Sequence, residues 1–264
     1  KESRETIMAR PDRVFRTDAI ILRRQDLGEA DRLLTLFTPN HGKLAVVAKG
    51  VRKPTARNSG HVELFALSTL LIARGRGDLD IVTQAEMSDP FLPLRESLEC
   101  AAYASYVIEL IDRFTEQDEQ NTPLYHLLAD TLGWLAAPDR DLRLVARYYE
   151  MHLLRLVGFH PQLFTCTVGL EPIEAQAQFF SVQEGGLICP EHAEGNPRAM
   201  PITLSAVKVL RHLQRYDFPD VQTLRLGDLL HSELEHITQQ YIVYLLERRL
   251  KSVEFIRRLR RQAD

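Results

Sequence analysis

The hydrophobic and polar positions change period once along the chain, close to Pro90. Before it, short apolar runs alternate with polar residues at the two-residue period of a half-buried strand. This pattern predicts a first strand over Arg16–Arg24, ending at the turn-like Asp26-Leu27-Gly28, and a second over Ala30–Thr38, closed by Pro39-Asn40-His41-Gly42. The third begins at Gly42, with Leu44, Val46 and Ala48 on one face and Lys43, Ala45, Val47 and Lys49 on the other, until Gly50 breaks it. His61–Arg74 reads as a long fourth strand, Gly75-Arg76-Gly77-Asp78 as a hairpin turn and Leu79–Met87 as a fifth strand. Five short strands without a repeat suit a small closed barrel. The OB-fold fits this count, and an SH3-like barrel fits it nearly as well.

After Pro90 and Pro93 the apolar positions take helical spacing. Leu94, Leu98, Ala101, Ala102, Ser105, Ile108 and Ile111 make one stripe, and Thr122-Pro123 reads as an N-cap followed by a first-turn proline. Asp141 caps a third helix that stops at Gly158, Thr203 starts another, and Asp228 opens a last long one running through Leu245 into a basic tail. The predicted organisation is α+β. Residues 1–10 form an appended or disordered leader with Met8 near a natural start, 11–90 a five-stranded barrel of OB-fold or SH3-like type, and 91–264 a helical bundle domain. A zinc-ribbon-like knuckle pair is inserted at 159–198.

Charge changes this picture more than bulk composition does. The chain has 264 residues, is 45% hydrophobic and carries a formal charge of −3. Between Arg13 and Val62, however, ten basic residues stand against four acidic ones, and no acid lies between Gly42 and Gly60. Lys43, Lys49, Arg52, Lys53 and Arg57 are the expected phosphate contacts, with Arg23, Arg24 and Arg32 as second choices. The plainer account of such lysines is that they guard a strand edge against aggregation. Phe37 and Phe65, the aromatic rings between Arg16 and Met87 besides His41 and His61, both read as core. That leaves a cationic grip on phosphates in place of base stacking. Seven basic residues against two acids between Glu247 and Arg261 read first as a solvated face at a helix C-terminus.

The insertion carries the candidate metal chemistry. Cys189-x-x-His192 has intact knuckle spacing, whereas Cys166 is followed three residues later by Gly169. Cys166, Cys189 and His192 are therefore three candidate ligands for one zinc ion, and water, Glu171 or His160 would have to complete the set. Apolar packing of Phe164, Phe179 and Phe180 is the alternative reading of the same segment. Cys100, among alanines, reads as core. No phosphate-binding loop, nucleophile elbow or deaminase motif is present, and the pair Asp78 and Asp80 reads as exposed turn residues. A non-enzymatic protein is expected. The chain has no apolar run of membrane-spanning length, no hydrophobic centre of a signal peptide near its start, and three widely spaced cysteines. It is expected in the cytoplasm.

Gly28-Glu29-Ala30-Asp31-Arg32 leads to Leu36-Phe37-Thr38, then Gly42-Lys43 and Ala48-Lys49-Gly50-Val51-Arg52-Lys53, before helices with an inserted knuckle pair. In this the chain resembles the bacterial recombination mediators of the RecO family, from about Arg16 onward. The resemblance implies an N-terminal OB-fold joined to a helical domain, and a protein that binds single- and double-stranded DNA and anneals complementary strands. It also implies cooperation with RecR in loading RecA onto strands coated by single-strand-binding protein. The division between a cationic barrel and helices that are on balance acidic makes the helical domain the expected place for protein partners. Many members carry a four-cysteine zinc site, of which this chain keeps Cys166 and Cys189, with His192 in a third position. An RNA-binding barrel protein in RNA maturation is the alternative, and a structural adaptor a third class.

Overall fold

A computed structural model describes residues 13–53, 59–75, 77 and 79–263, and the chain divides into two compact units, Lys1–Pro90 and Phe91–Asp264. The first unit holds β1 (Val14–Leu27), β2 (Asp31–Thr38), β3 (Gly42–Ala48), β4 (Leu67–Ala73) and β5 (Asp80–Asp89), closed into a barrel in the order β1-β2-β3-β5-β4. β1 serves two neighbours. Its start pairs with β4 from Val14↔Ala73 to Ile20↔Leu67, and its end with β2 from Ile20↔Phe37 to Leu27↔Asp31. A register shift between Ile21 and Arg23 supplies the bend this requires. Closure comes from a parallel contact between β3 and β5, Val46↔Asp80 to Ala48↔Val82. That contact makes the barrel an OB-fold and not an SH3-like one. Alternate residues such as Ile21, Leu34, Leu36, Leu44 and Val46 fill the interior.

The fourth strand is shorter than its apolar run. It starts at Leu67, because His61 closes a 3-10 turn (Ser59–His61) and Phe65 takes a left-handed backbone at φ 70°. Val62, Phe65 and Ala66 are buried all the same; apolarity reports burial here, not extension. The β4–β5 hairpin needs Gly75, where an added Cβ would lie 2.0 Å from the Leu79 carbonyl oxygen. Asp80 holds the same turn by accepting from the Gly75 N–H at 3.0 Å and from Arg74 at 2.8 Å. It is a structural carboxylate, and Asp78 lies outside the described residues.

The second unit contains α1 (Pro93–Glu96), α2 (Leu98–Phe114), α3 (Thr122–Ala136), α4 (Leu142–Leu156), α5 (Pro190–Ala193), α6 (Leu204–Arg215), α7 (Phe218–Val221), α8 (Asp228–Leu246) and α9 (Lys251–Ala263). Asp141 and Thr203 cap α4 and α6 as their positions predict. Three boundaries differ. The first helical stripe is broken at Ser97, whose hydroxyl caps α2 by accepting from Cys100 N–H. The cap of α3 is Asn121, one residue before the predicted threonine. The last helix ends at Leu246, where Glu247 turns left-handed at φ 54°, and the basic tail is a separate helix. Cys100 is half-buried and not a core residue.

α9 is fixed by polar contacts that sequence spacing does not show. Glu109 of α2 accepts from Ser252 N–H at 2.8 Å and from its hydroxyl at 2.6 Å. Arg260 binds Glu235 at 2.7 Å and the Tyr103 hydroxyl at 2.6 Å, and Arg257 binds Gln239 at 2.7 Å. Beneath them Glu150, fully buried, accepts from Tyr106 and Arg147. A buried ion pair of this kind is costly to break from one side. The insertion supplies β6 (Gln178–Ser181) and β7 (Gly186–Ile188) of a three-stranded sheet ordered β7-β6-β8, and β8 (Met200–Ile202) lies just past the predicted end of the insertion. Among the described residues no helix is long and apolar enough to cross a membrane.

Candidate nucleic-acid face and metal centre

The barrel's cations divide by what lies near them in space. Arg24 pairs with Glu63 at 2.6 Å, and Arg32 lies between Asp26 at 3.5 Å and Glu63 at 3.8 Å. Arg52 reaches Asp26 at 3.3 Å and donates to the Gly28 carbonyl at 2.8 Å. The absence of acids between Gly42 and Gly60 therefore does not leave this segment without counter-ions. Asp26 is brought in by the β1–β2 register, which pairs it with Arg32, and Glu63 follows the gap. Lys49 and Lys53 differ: both are exposed, and neither has an ion pair among the described residues. Lys43 sits half-buried at the start of β3, opposite Phe37. Six residues of strand, about 20 Å, separate it from Lys49, so these two do not form one cluster. Arg23 is exposed on β1, and Arg57 lies outside the described residues.

Lys49 lines an open groove of about 550 Å³ with Val47, Arg74, Leu79 and Ile81, beside the β4–β5 turn. That turn is one of the loops through which OB-folds take oligonucleotides. Sequence reasoning passed over Arg74, which is tied to Asp80 and lies 4.8 Å over the Phe15 ring. Phe37 and Phe65 are both buried, as expected, and Phe15 is half-buried. The barrel thus offers no exposed aromatic platform among its described residues, while it does offer uncompensated lysines.

In the second unit Cys166, Glu171, Cys189 and His192 converge, their ligand atoms all within 4.8 Å of one another. His192 Nδ1 lies 3.1 Å from Cys189 Sγ, 3.2 Å from Glu171 Oε1 and 3.6 Å from Cys166 Sγ. Tetrahedral zinc with bonds of about 2.0–2.3 Å needs ligand separations of roughly 3.3–3.8 Å, so the donor set fits with small adjustments. Gly169 N–H and Cys189 N–H both point at Cys166 Sγ, each at 3.5 Å, the kind of outer contact that orients a ligand. Glu171, not His160, is the fourth residue of this cluster. A Cβ at Gly169 would lie 2.0 Å from Glu171 Oε2 and 2.3 Å from His192 Cε1. The carboxylate thus fills the room a residue larger than glycine would need. The Cys189 thiol, hydrogen-bonded to it, holds the Glu171 carboxyl down to about 2, and Glu171 in turn pushes the Cys189 thiol up.

Two family models cover nearly all of this architecture. Residues 12–91 match the recombination protein O N-terminal domain and residues 95–254 the recombination protein O C-terminal domain. The chain belongs to the RecO family. It is 40% identical over 245 residues to the DNA repair protein RecO of Roseiflexus sp. (strain RS-1), spanning 93% of this chain and 86% of that one. It is 37% identical over 247 residues to the RecO of Dehalococcoides mccartyi (strain ATCC BAA-2266 / KCTC 15142 / 195), spanning 94% and 96%. Membership in the RecO family gives the chain a role in DNA repair and recombination.

Proposed function

We propose that this protein is a DNA-binding recombination mediator that catalyses no reaction. The barrel grips the phosphate backbones of single and double strands and leaves base edges free, so complementary strands can pair while held. Such binding anneals DNA and, with RecR, helps load RecA onto strands coated by single-strand-binding protein in the cytoplasm, with the helical unit receiving protein partners. The carrying observation is the pair of exposed, uncompensated lysines, Lys49 and Lys53, on a barrel whose aromatic rings are not exposed. Titrating the full chain with single- and double-stranded DNA across a salt series tests it. Similar affinities with steep salt dependence are expected. Preference for RNA in a competition titration would move the protein to RNA maturation, and no affinity for either nucleic acid at low salt would leave a structural adaptor.

One zinc ion belongs to the same reading, held by Cys166, Glu171, Cys189 and His192. It would supply structural cross-linking of the insertion and not catalysis, since four protein donors leave no open position.

A further inference from the structure

The helical unit carries a second cationic site. Lys208, Arg211 and Arg215 recur at helical spacing on one face of α6. Phe164, two residues before Cys166, lies under both arginines: the Arg211 guanidinium carbon is 4.9 Å and that of Arg215 4.3 Å from its ring centroid. The first knuckle is tied to this helix by Arg211 Nε donating to the Leu163 carbonyl at 2.8 Å and Gln214 donating to the Pro161 carbonyl at 2.8 Å. The first of these bonds uses Nε, so the terminal nitrogens of Arg211 are left for another partner. None of the three cations has a carboxylate partner among the described residues. Burial, and then the charge of Arg215, lower the Arg211 pKa.

We propose that Lys208, Arg211 and Arg215, with Phe164 beneath the two arginines, form a second phosphate-binding surface for nucleic acid. Two guanidiniums on one ring repel each other, and a bound anion would offset that repulsion. Guanidinium suits phosphate because its planar fork donates two parallel hydrogen bonds, and the ring restricts the planes available to it. The three cations extend over about 10 Å of helix, the rise of roughly three nucleotides. A strand's regularly spaced charges fit that row. The inference rests on the reading that the protein binds nucleic acid through phosphates, and it goes further: each unit presents a phosphate site, so one molecule can hold two strands.

The test compares full-length variants by fluorescence anisotropy on a labelled oligothymidylate over a salt series. Replacing Arg211 and Arg215 with Gln should lower the log–log salt slope by about 1.4, at roughly 0.7 per lost contact, and slow annealing of complementary strands. Because Arg211 also holds Leu163, a second variant, Lys208→Gln with Arg215→Gln, removes only groups without a hydrogen-bonded partner and should give the same drop with an unchanged melting curve. Unchanged slopes in this second variant overturn the proposal. So does a variant that keeps DNA binding but loses affinity for an aspartate-rich peptide, since the site would then serve an acidic protein segment. Failure of the broader reading is distinct: there, Lys49→Ala with Lys53→Ala would also leave the slope unchanged.

Discussion

Asp26 lies 3.3 Å from Arg52 and 3.5 Å from Arg32, so one half-exposed carboxylate restrains two of the barrel's arginines. A strand phosphate has to compete with it. Asp26→Asn should therefore tighten DNA binding by roughly two- to fivefold at low salt, the range expected from exposed ion pairs, with the gain fading as salt is raised. Lys49→Ala and Lys53→Ala should each remove about 0.7 from the single-strand salt slope and leave the melting curve where it was. Arg52→Ala should lose less affinity than either and some stability, because its guanidinium also anchors Gly28. Equal losses in all three would show that Asp26 does not compete.

Phe37 is fully buried opposite Lys43, and this separates folding from binding. Phe37→Ala should cost about 3–5 kcal/mol, the usual range for emptying such a site. At temperatures where the variant is still folded, its DNA affinity and salt slope should match those of the unaltered protein. A selective loss of single-strand affinity in folded Phe37→Ala would mean the ring stacks on bases after all.

The barrel was legible because short apolar strands are separated by turns that carry glycine, and two helix starts because Asp141 and Thr203 have side chains that cap. What escaped the sequence was set by distant or unusual backbone partners. Phe65 and Glu247 adopt left-handed conformations without being glycine, so neither the late start of β4 nor the break before α9 left a composition signal. Asp26 and Glu63 neutralise arginines that are far from them in sequence. Counting acids along a segment could not find them, though pairing the predicted β1 and β2 would have pointed to Asp26. Glu171 was already one option for the fourth position, but it stands two residues past Gly169, off the knuckle spacing, and only the fold chooses it over His160 as a member of the cluster. The stacking of Arg211 and Arg215 on Phe164 joins residues about fifty positions apart, and only the fold reveals it.

The mixed donor set makes a prediction about metal retention. The purified chain should hold one zinc ion, and cobalt substituted for it should give the visible spectrum of a tetrahedral site with two thiolates. Glu171→Ala should weaken zinc by more than the 10–100-fold typical of losing an outer-shell contact, measured by competition with a colorimetric chelator. Cys166→Ala should abolish tight binding. A spectrum and affinity unaltered in Glu171→Ala would assign the fourth place to water.

Asp141 gives the helical unit a defined acid response. One carboxylate oxygen caps α4, accepting from Arg143 N–H at 3.0 Å and Leu144 N–H at 3.1 Å, while the other lies 2.9 Å from His231 Nε2. Arg143 adds its own charge at 4.0 Å while holding Asp228 at 2.8 Å. Burial works to raise the carboxyl's pKa, but the His231 hydrogen bond, the Leu144 N–H and these charges outweigh it and hold the value below the ordinary aspartate range. A depressed carboxyl stabilises the fold at pH values above its unfolded pKa, and that contribution disappears as pH falls through the folded value. Asp141→Asn keeps a good cap but removes the charge. It should be less stable than the unaltered protein at pH 7, and the two should converge as pH drops below about 4. Asp141→Ala, losing the cap as well, should stay lower by about 1 kcal/mol throughout. Denaturant midpoints read from the single tryptophan, Trp134, stacked on Phe218 at 4.0 Å, would follow all three. A gap between the unaltered protein and Asp141→Asn that stays constant from pH 7 to pH 3 would mean the charge on Asp141 adds nothing to the fold.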